Sequence, residues 1–410
     1  MEFYQNSKRV VVLVTIATVI IGFLWGLFSL APSAVRIAFS VLMILSIIVF
    51  PYGLIRKNDF DRFPNVLLRM ILALSIVAVL RSVFNENADM HAVGNKWLTL
   101  FGHEYCSLIF LPPLFTYLAT IPLNIALVKK INYQYMLLGA LCILLFKYPL
   151  ASLVIWLPIF VPYVNRNYKM LIMMAMLEAV ICAVTGENPT RAYFLYIAFS
   201  FLAYLFVYVI KKNNITRVFC VGCIVLPFVL FFPMMLSKNN NNLSFFQKAQ
   251  DTIINETKNS ELATDTRTFL YREMAYDLTK TESWVWGKGA YAHYYSFYFD
   301  QGINGKYGRM TSEVPFLNFL MHGGIVYTAL YFLLLVYAVY NGLWKGNNKF
   351  VQYIAVVATG WYFCSFICDL TGARYYHMVF FILLGCCFSR RFLSMSDEEI
   401  SLLFDEGIAV

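Results

Sequence analysis

The chain has 410 residues, of which 60% are hydrophobic and only 13% charged. A soluble domain carries about 25% charged residues, so the composition argues against a water-soluble enzyme and for a polytopic membrane protein. On such a chain the net charge of +9 reports loop topology rather than nucleic-acid binding.

The nine cysteines all fall inside apolar runs. Neither a disulfide framework nor a zinc site is expected from them. Cys220 and Cys223 have redox spacing but lie within one apolar run, where small packing residues are the better reading.

Apolar runs predict about twelve spans, at residues 10–30, 34–55, 66–84, 105–128, 133–147, 149–164, 168–185, 192–210, 215–236, 314–340, 350–369 and 374–390. The run at 133–164 reads either as a hairpin or as one tilted helix kinked at Pro149. Residues 10–30 are uncharged and too long for a signal-peptide core, so no cleaved leader is expected.

The connections alternate in charge. Lys8 and Arg9, Arg56, Lys57 and Arg62, Lys129 and Lys130, Arg166 and Lys169, Lys211, Lys212 and Arg217, Lys345 and Lys349, and Arg390 and Arg391 fall on one side. The short loops on the other side hold only Lys96, Lys147, Arg191 and Arg374. The positive-inside rule makes the first side cytoplasmic, together with both termini. The expected organisation is spans over 1–236, an extracytoplasmic loop domain over 237–313, further spans over 314–390, and a cytoplasmic tail over 391–410. The acidic tail reads as a short amphipathic helix or a solvated end.

Residues 237–313 are the only long polar segment. Long structureless loops in compact domains are uncommon and usually functional. Thr264 or Asp265 can cap a helix running to about Thr281. On it Arg267, Tyr271, Met274 and Leu278 share one face, and Asp265, Phe269, Arg272 and Tyr276 another. Gly287-Lys288-Gly289 marks a turn after it. Residues 290–300 are mostly aromatic and read equally as an interfacial belt or as flat faces for sugar rings. His293 reads as a hydrogen-bonded surface histidine before it reads as a base.

Arg36, Arg81, Lys147, Arg191 and Arg374 lie near outer helix ends or in short outer loops, and the outer segment adds Arg267, Arg272 and Arg309. Taken singly each can snorkel. Together they point to an anion held at the outer membrane face. Glu178, within an apolar run, reads as their structural partner. No Gly-rich phosphate loop, metal-ligand spacing or nucleophile triad is present in the sequence, and no cofactor or metal is expected.

Three stretches carry a family resemblance. TGENPTRAYFLYIAF opens a span with an arginine. DTRTFLYREMAYDLTKTESWVWGKGAY joins Asp-x-Arg to Gly-x-Gly through an aromatic helix. SEVPFLNFLMHGGIVYTALYFL re-enters the membrane through paired glycines. In this order, with a large outer loop between late spans, they resemble the O-antigen polymerase and O-antigen ligase superfamily of bacterial surface-glycan enzymes. The resemblance covers residues 170–340 by motif and the rest by topology.

The resemblance implies a metal-independent glycosyltransferase of the inner membrane, facing the periplasm or cell exterior and serving lipopolysaccharide or capsule biosynthesis. Its donor and acceptor would be undecaprenyl-diphosphate-linked oligosaccharides, with a chain-length regulator as a further partner. Arg191 matches the family's intramembrane arginine, and Arg267 and Arg272 its loop arginines. The ligase histidine is replaced by Ser312-Glu313, which favours polymerase over ligase. Glu313 becomes the base candidate by position, unless it pairs with Arg309. Arg191, Arg267 and Glu313 are the expected catalytic set. Arg272, Asp265, His293, Arg81 and Arg374 are the expected substrate contacts. Ligation or oligosaccharide transfer to another acceptor is the enzymatic alternative, and a non-enzymatic lipid-linked glycan exporter or flippase the other.

Overall fold

A computed structural model describes residues 58–84, 115–122, 124–130, 156–163, 191–236, 266–294, 311–367 and 375–406. These residues are mostly helical and contain no strand. One isolated bridge joins Phe60 to Ser389. The helices are α1 (Arg62–Phe84), α2 (Leu157–Phe160), α3 (Arg191–Tyr204), α4 (Asn213–Leu236), α5 (Thr266–Lys280), α6 (Pro315–Tyr340), α7 (Lys349–Cys364), α8 (Tyr375–Cys386), α9 (Arg390–Ser394) and α10 (Asp397–Glu406). A π-helical turn extends α3 over Leu205–Ile210, and another extends α6 over Asn341–Lys345.

Three of these helical segments, Arg62–Ser82, Asn213–Phe232 and Pro315–Lys345, are long and apolar enough to cross a membrane. At 1.5 Å per residue, about 20 residues suffice. Along most of their length α1 and α4 carry apolar residues on their exposed as well as their buried faces. Val66, Met70, Val77 and Leu80 of α1 are exposed, as are Val218, Val221, Val225, Val229 and Phe232 of α4. Water would not tolerate so broad an apolar surface.

The core lies between α6 and α7. The helix α6 packs on α1 and α7, while α7 also packs on α3 and α4. Gly360 of α7 brings the backbone against the ring of Phe199, where a Cβ would sit 2.4 Å from Cγ. Trp361 stacks on His377 and Phe380 and meets the edge of Tyr196.

At one end of the bundle polar groups knit the helix ends together. Arg217 donates to the Leu343 carbonyl, Asn341 to that of Cys387, and Asn348 to those of Phe392 and Met395. Ser389 donates to Asp59, and Arg390 Nε lies 2.7 Å from Asp61. The tail is a docked helix: α10 buries Ile400 and Phe404 and leaves Glu398, Glu399 and Leu402 exposed. Lys129 Nζ donates to the carbonyls of Tyr163 and Phe404. Burial lowers its pKa, partly offset by Asp405.

The expected spans at 66–84, 192–210, 215–236, 314–340, 350–369 and 374–390 coincide with helices, although α7 stops at Cys364 and α8 at Cys386. Residues 105–128 do not form one helix. A 3-10 turn, Thr116–Thr120, ends at an extended Ile121 (φ −109°, ψ 105°), and helix resumes over 124–130. Pro122 explains the break, because it disfavours helical geometry at the preceding residue. The expected spans at 10–30, 34–55, 133–147 and 168–185 lie outside the described residues, as does most of 149–164.

Candidate functional site

At the opposite end of the bundle, α5 and the loop after it sit on the helix ends. Tyr271, Met274 and Leu278 of α5 are fully buried, and each contributes about 1.5–3 kcal/mol by leaving water. Tyr271 stacks on Phe231 and Phe316, and its hydroxyl donates to the Phe366 carbonyl at 2.8 Å. This anchors α5 where α4 and α7 finish and α6 begins. The expected helix is therefore present, and of the four residues expected to share a face, Tyr271, Met274 and Leu278 are buried, while the Arg267 side chain lies outside the described residues.

The loop then crosses an opening in α6. The helix breaks at Gly324 (φ 70°, ψ −174°), a conformation closed to residues with a Cβ. The break releases backbone groups from the helical ladder, and in an apolar setting each must find a partner. The loop supplies them. Ile325 N–H donates to the Trp284 carbonyl (2.8 Å) and Val326 N–H to that of Val285 (3.4 Å). In return, Lys288 N–H donates to Met321 (2.7 Å) and Gly289 N–H to His322 (3.1 Å).

Gly287 and Gly289 permit this contact. Both have positive φ, and a Cβ would stand 2.5 Å from Gly324 N in the first case and 2.6 Å from Ser82 Oγ in the second. The loop continues onto α1, where Ala290 N–H donates to Ala78 and Tyr291 N–H to Ser82 Oγ.

Side chains lock the junction. Lys288 pairs with Asp277 of α5 and donates to the His293 carbonyl. His322 is buried, and its Nδ1 lies 2.9 Å from the Gly289 carbonyl. A carbonyl only accepts, so Nδ1 carries a proton. Neither Lys288 nor His322 was among the expected site residues. For His322 the signal was available: an ionisable residue directly before paired glycines in an apolar run is a functional candidate by default.

The expected site residues fall as follows. Arg81, in the last turn of α1, is exposed and donates through Nη1 to the Trp286 carbonyl at 2.9 Å. Arg272 is half-buried on α5, and its Nε is enclosed with no acceptor among the described residues. His293 meets Tyr291 edge to face. Glu313 is exposed beside Ser312, which is tied to buried Asn318 by three hydrogen bonds. Arg191 and Arg267 lie in the first turns of α3 and α5, and their side chains fall outside the described residues. So do Asp265, Arg309 and Arg374.

Tyr196 meets Trp361 while Ser200 meets Tyr353 nearer the start of α7, so α3 runs antiparallel to α7. Arg191 therefore begins α3 at the end where α5 docks. The structure brings Arg81, Arg272, His293, Glu313 and the helix starts at Arg191 and Arg267 to one end of the bundle. Among the described residues no cluster of His, Cys, Asp and Glu is arranged to hold a metal.

The fold and this site define an α-helical protein with three helices able to cross a membrane and a helix-and-loop cap docked on one end of the bundle. The chain matches no protein-family model, and no curated protein or solved structure is similar to it.

Proposed function

We propose that the chain is a membrane glycosyltransferase of about twelve spans that polymerises lipid-linked oligosaccharide repeat units at the outer face of the inner membrane. The observation that carries this reading is Arg272. A half-buried guanidinium whose Nε has no acceptor among the described residues is costly unless an anion completes it. Its fork matches the oxygens of a diphosphate.

The reaction needs no cofactor. The acceptor hydroxyl oxygen of an incoming repeat unit attacks the anomeric carbon of the growing glycan. The bond from that carbon to the diphosphate oxygen breaks, and the electron pair leaves on undecaprenyl diphosphate. Arg272, with Arg191 and Arg267, stabilises that charge, and Arg81 adds to the positive field at the same end. Glu313, with His293 in reserve, takes the hydroxyl proton.

The broken helix α6 is a feature also found in transporters, where half-helix N-termini face ions. Here the first N–H groups after the break are taken by the carbonyls of Trp284 and Val285. The break therefore serves as a socket for the loop, which supports the enzymatic reading over an exporter.

The test is purified protein in liposomes with lipid-linked repeat units. A ladder of longer glycans is expected. Glu313→Gln should bind donor and lose about 100-fold in turnover. Lipid-linked units crossing the bilayer without elongation would overturn the reading in favour of an exporter.

A further inference from the structure

Beside the loop junction lies a cleft of about 200 Å³ lined by Leu74, Val77, Ala78, Arg81, Trp286 and Gly323. Leu74, Val77, Ala78 and Arg81 form one stripe along α1 at helical spacing. The cleft continues the exposed apolar face of α1, where Val77 is 47% exposed, and its rim carries Trp286, 56% exposed. Arg81 closes it at the end of the helix. One of its five donors holds the Trp286 carbonyl, and no carboxylate pairs with it among the described residues. The order along the groove is thus aliphatic wall, indole, guanidinium: the profile of a lipid chain, an interface and an anionic head.

We propose that this cleft binds an anionic glycerophospholipid of the surrounding bilayer, with one acyl chain along Leu74 and Val77 and the phosphodiester on the free edge of Arg81. A cleft of this volume is smaller than the roughly 300–1,000 Å³ of a typical ligand pocket, so it takes part of a chain rather than a glycan. It opens on the face of α1 that bulk lipid bathes. The lipid lies against Trp286 and Gly323, and so braces the loop junction from the membrane side. The inference rests on the membrane reading but not on the enzymatic one.

The experiment reconstitutes the protein in phosphatidylcholine discs. A minor fraction of the lipid is either phosphatidylglycerol or phosphatidylcholine brominated on its acyl chains. Bromine quenches tryptophan on contact, and the Trp286 signal is the difference between wild type and Trp286→Phe. Brominated phosphatidylglycerol should quench that signal about fivefold more effectively, and Arg81→Gln should erase the contrast. Equal quenching by the two lipids in wild type, which needs no Arg81 variant to fold, overturns the proposal. So does a contrast that survives Arg81→Gln. Failure of the membrane reading looks different: the chain would not enter discs, and neither lipid would quench any tryptophan.

Discussion

Gly324 shows how one residue sets the geometry of the site. Its φ of 70° and ψ of −174° are open only to glycine, and a Cβ would lie 2.2 Å from the Val285 carbonyl oxygen. Gly324→Ala must therefore close the α6 break or expel the loop, at a cost of about 3 kcal/mol. Gly222, on α4, stands in open space: a Cβ added there would meet nothing within 4 Å, and Gly222→Ala should be neutral or stabilising by up to ~1 kcal/mol. Thermal unfolding of both variants in detergent checks this: Gly324→Ala should melt well below wild type and Gly222→Ala at or above it. Equal midpoints would mean that the loop does not depend on the break. The paired glycines were legible in the sequence as a place where α6 re-enters the bundle. Their use as a backbone socket was not, because the partner carbonyls come from a loop some forty residues earlier, and periodicity is blind to such pairing.

Elements were legible wherever a long apolar run met a capping signal. The helix α7 begins at Asn348, whose Oδ1 accepts from Val351 N–H. The helix α10 begins with a reciprocal box between Ser396 and Glu399. The tail sequence carried both residues at the right spacing, and burial of Ile400 and Phe404 decides for a docked helix over a solvated end. Residues 105–128 misled for the opposite reason. Hydropathy averages over Pro122, whereas the backbone does not. The two ends of the bundle give a test at this scale. Tyr276 on α5 and Leu402 on α10 are exposed at opposite ends, 61% and 55% respectively. In a background lacking other cysteines, an impermeant thiol reagent applied to spheroplasts should label Tyr276→Cys and spare Leu402→Cys until the membrane is opened. The reverse pattern would invert the positive-inside assignment.

For the whole molecule, the sequence predicted a gathering of cations at one membrane face, and the described residues place Arg81, Arg272 and the starts of α3 and α5 at one end of the bundle. What spacing could not reveal was which cations remain available. Lys288, read in the sequence only as part of a turn, is taken by Asp277 and the His293 carbonyl. Arg272, placed by spacing on the helix face shared with Phe269 and Tyr276, is half enclosed without an acceptor for its Nε among the described residues. Burial and pairing depend on how α5 lies against α4 and α6, which is a property of tertiary packing.

The most direct measurement counts undecaprenyl diphosphate released against glycosidic bonds formed by the purified protein. One diphosphate per bond is expected in wild type, and a rate about 100-fold lower in Arg272→Lys, whose point charge cannot reproduce the fork. Release without bond formation, or a wild-type rate from Arg272→Lys, would contradict it.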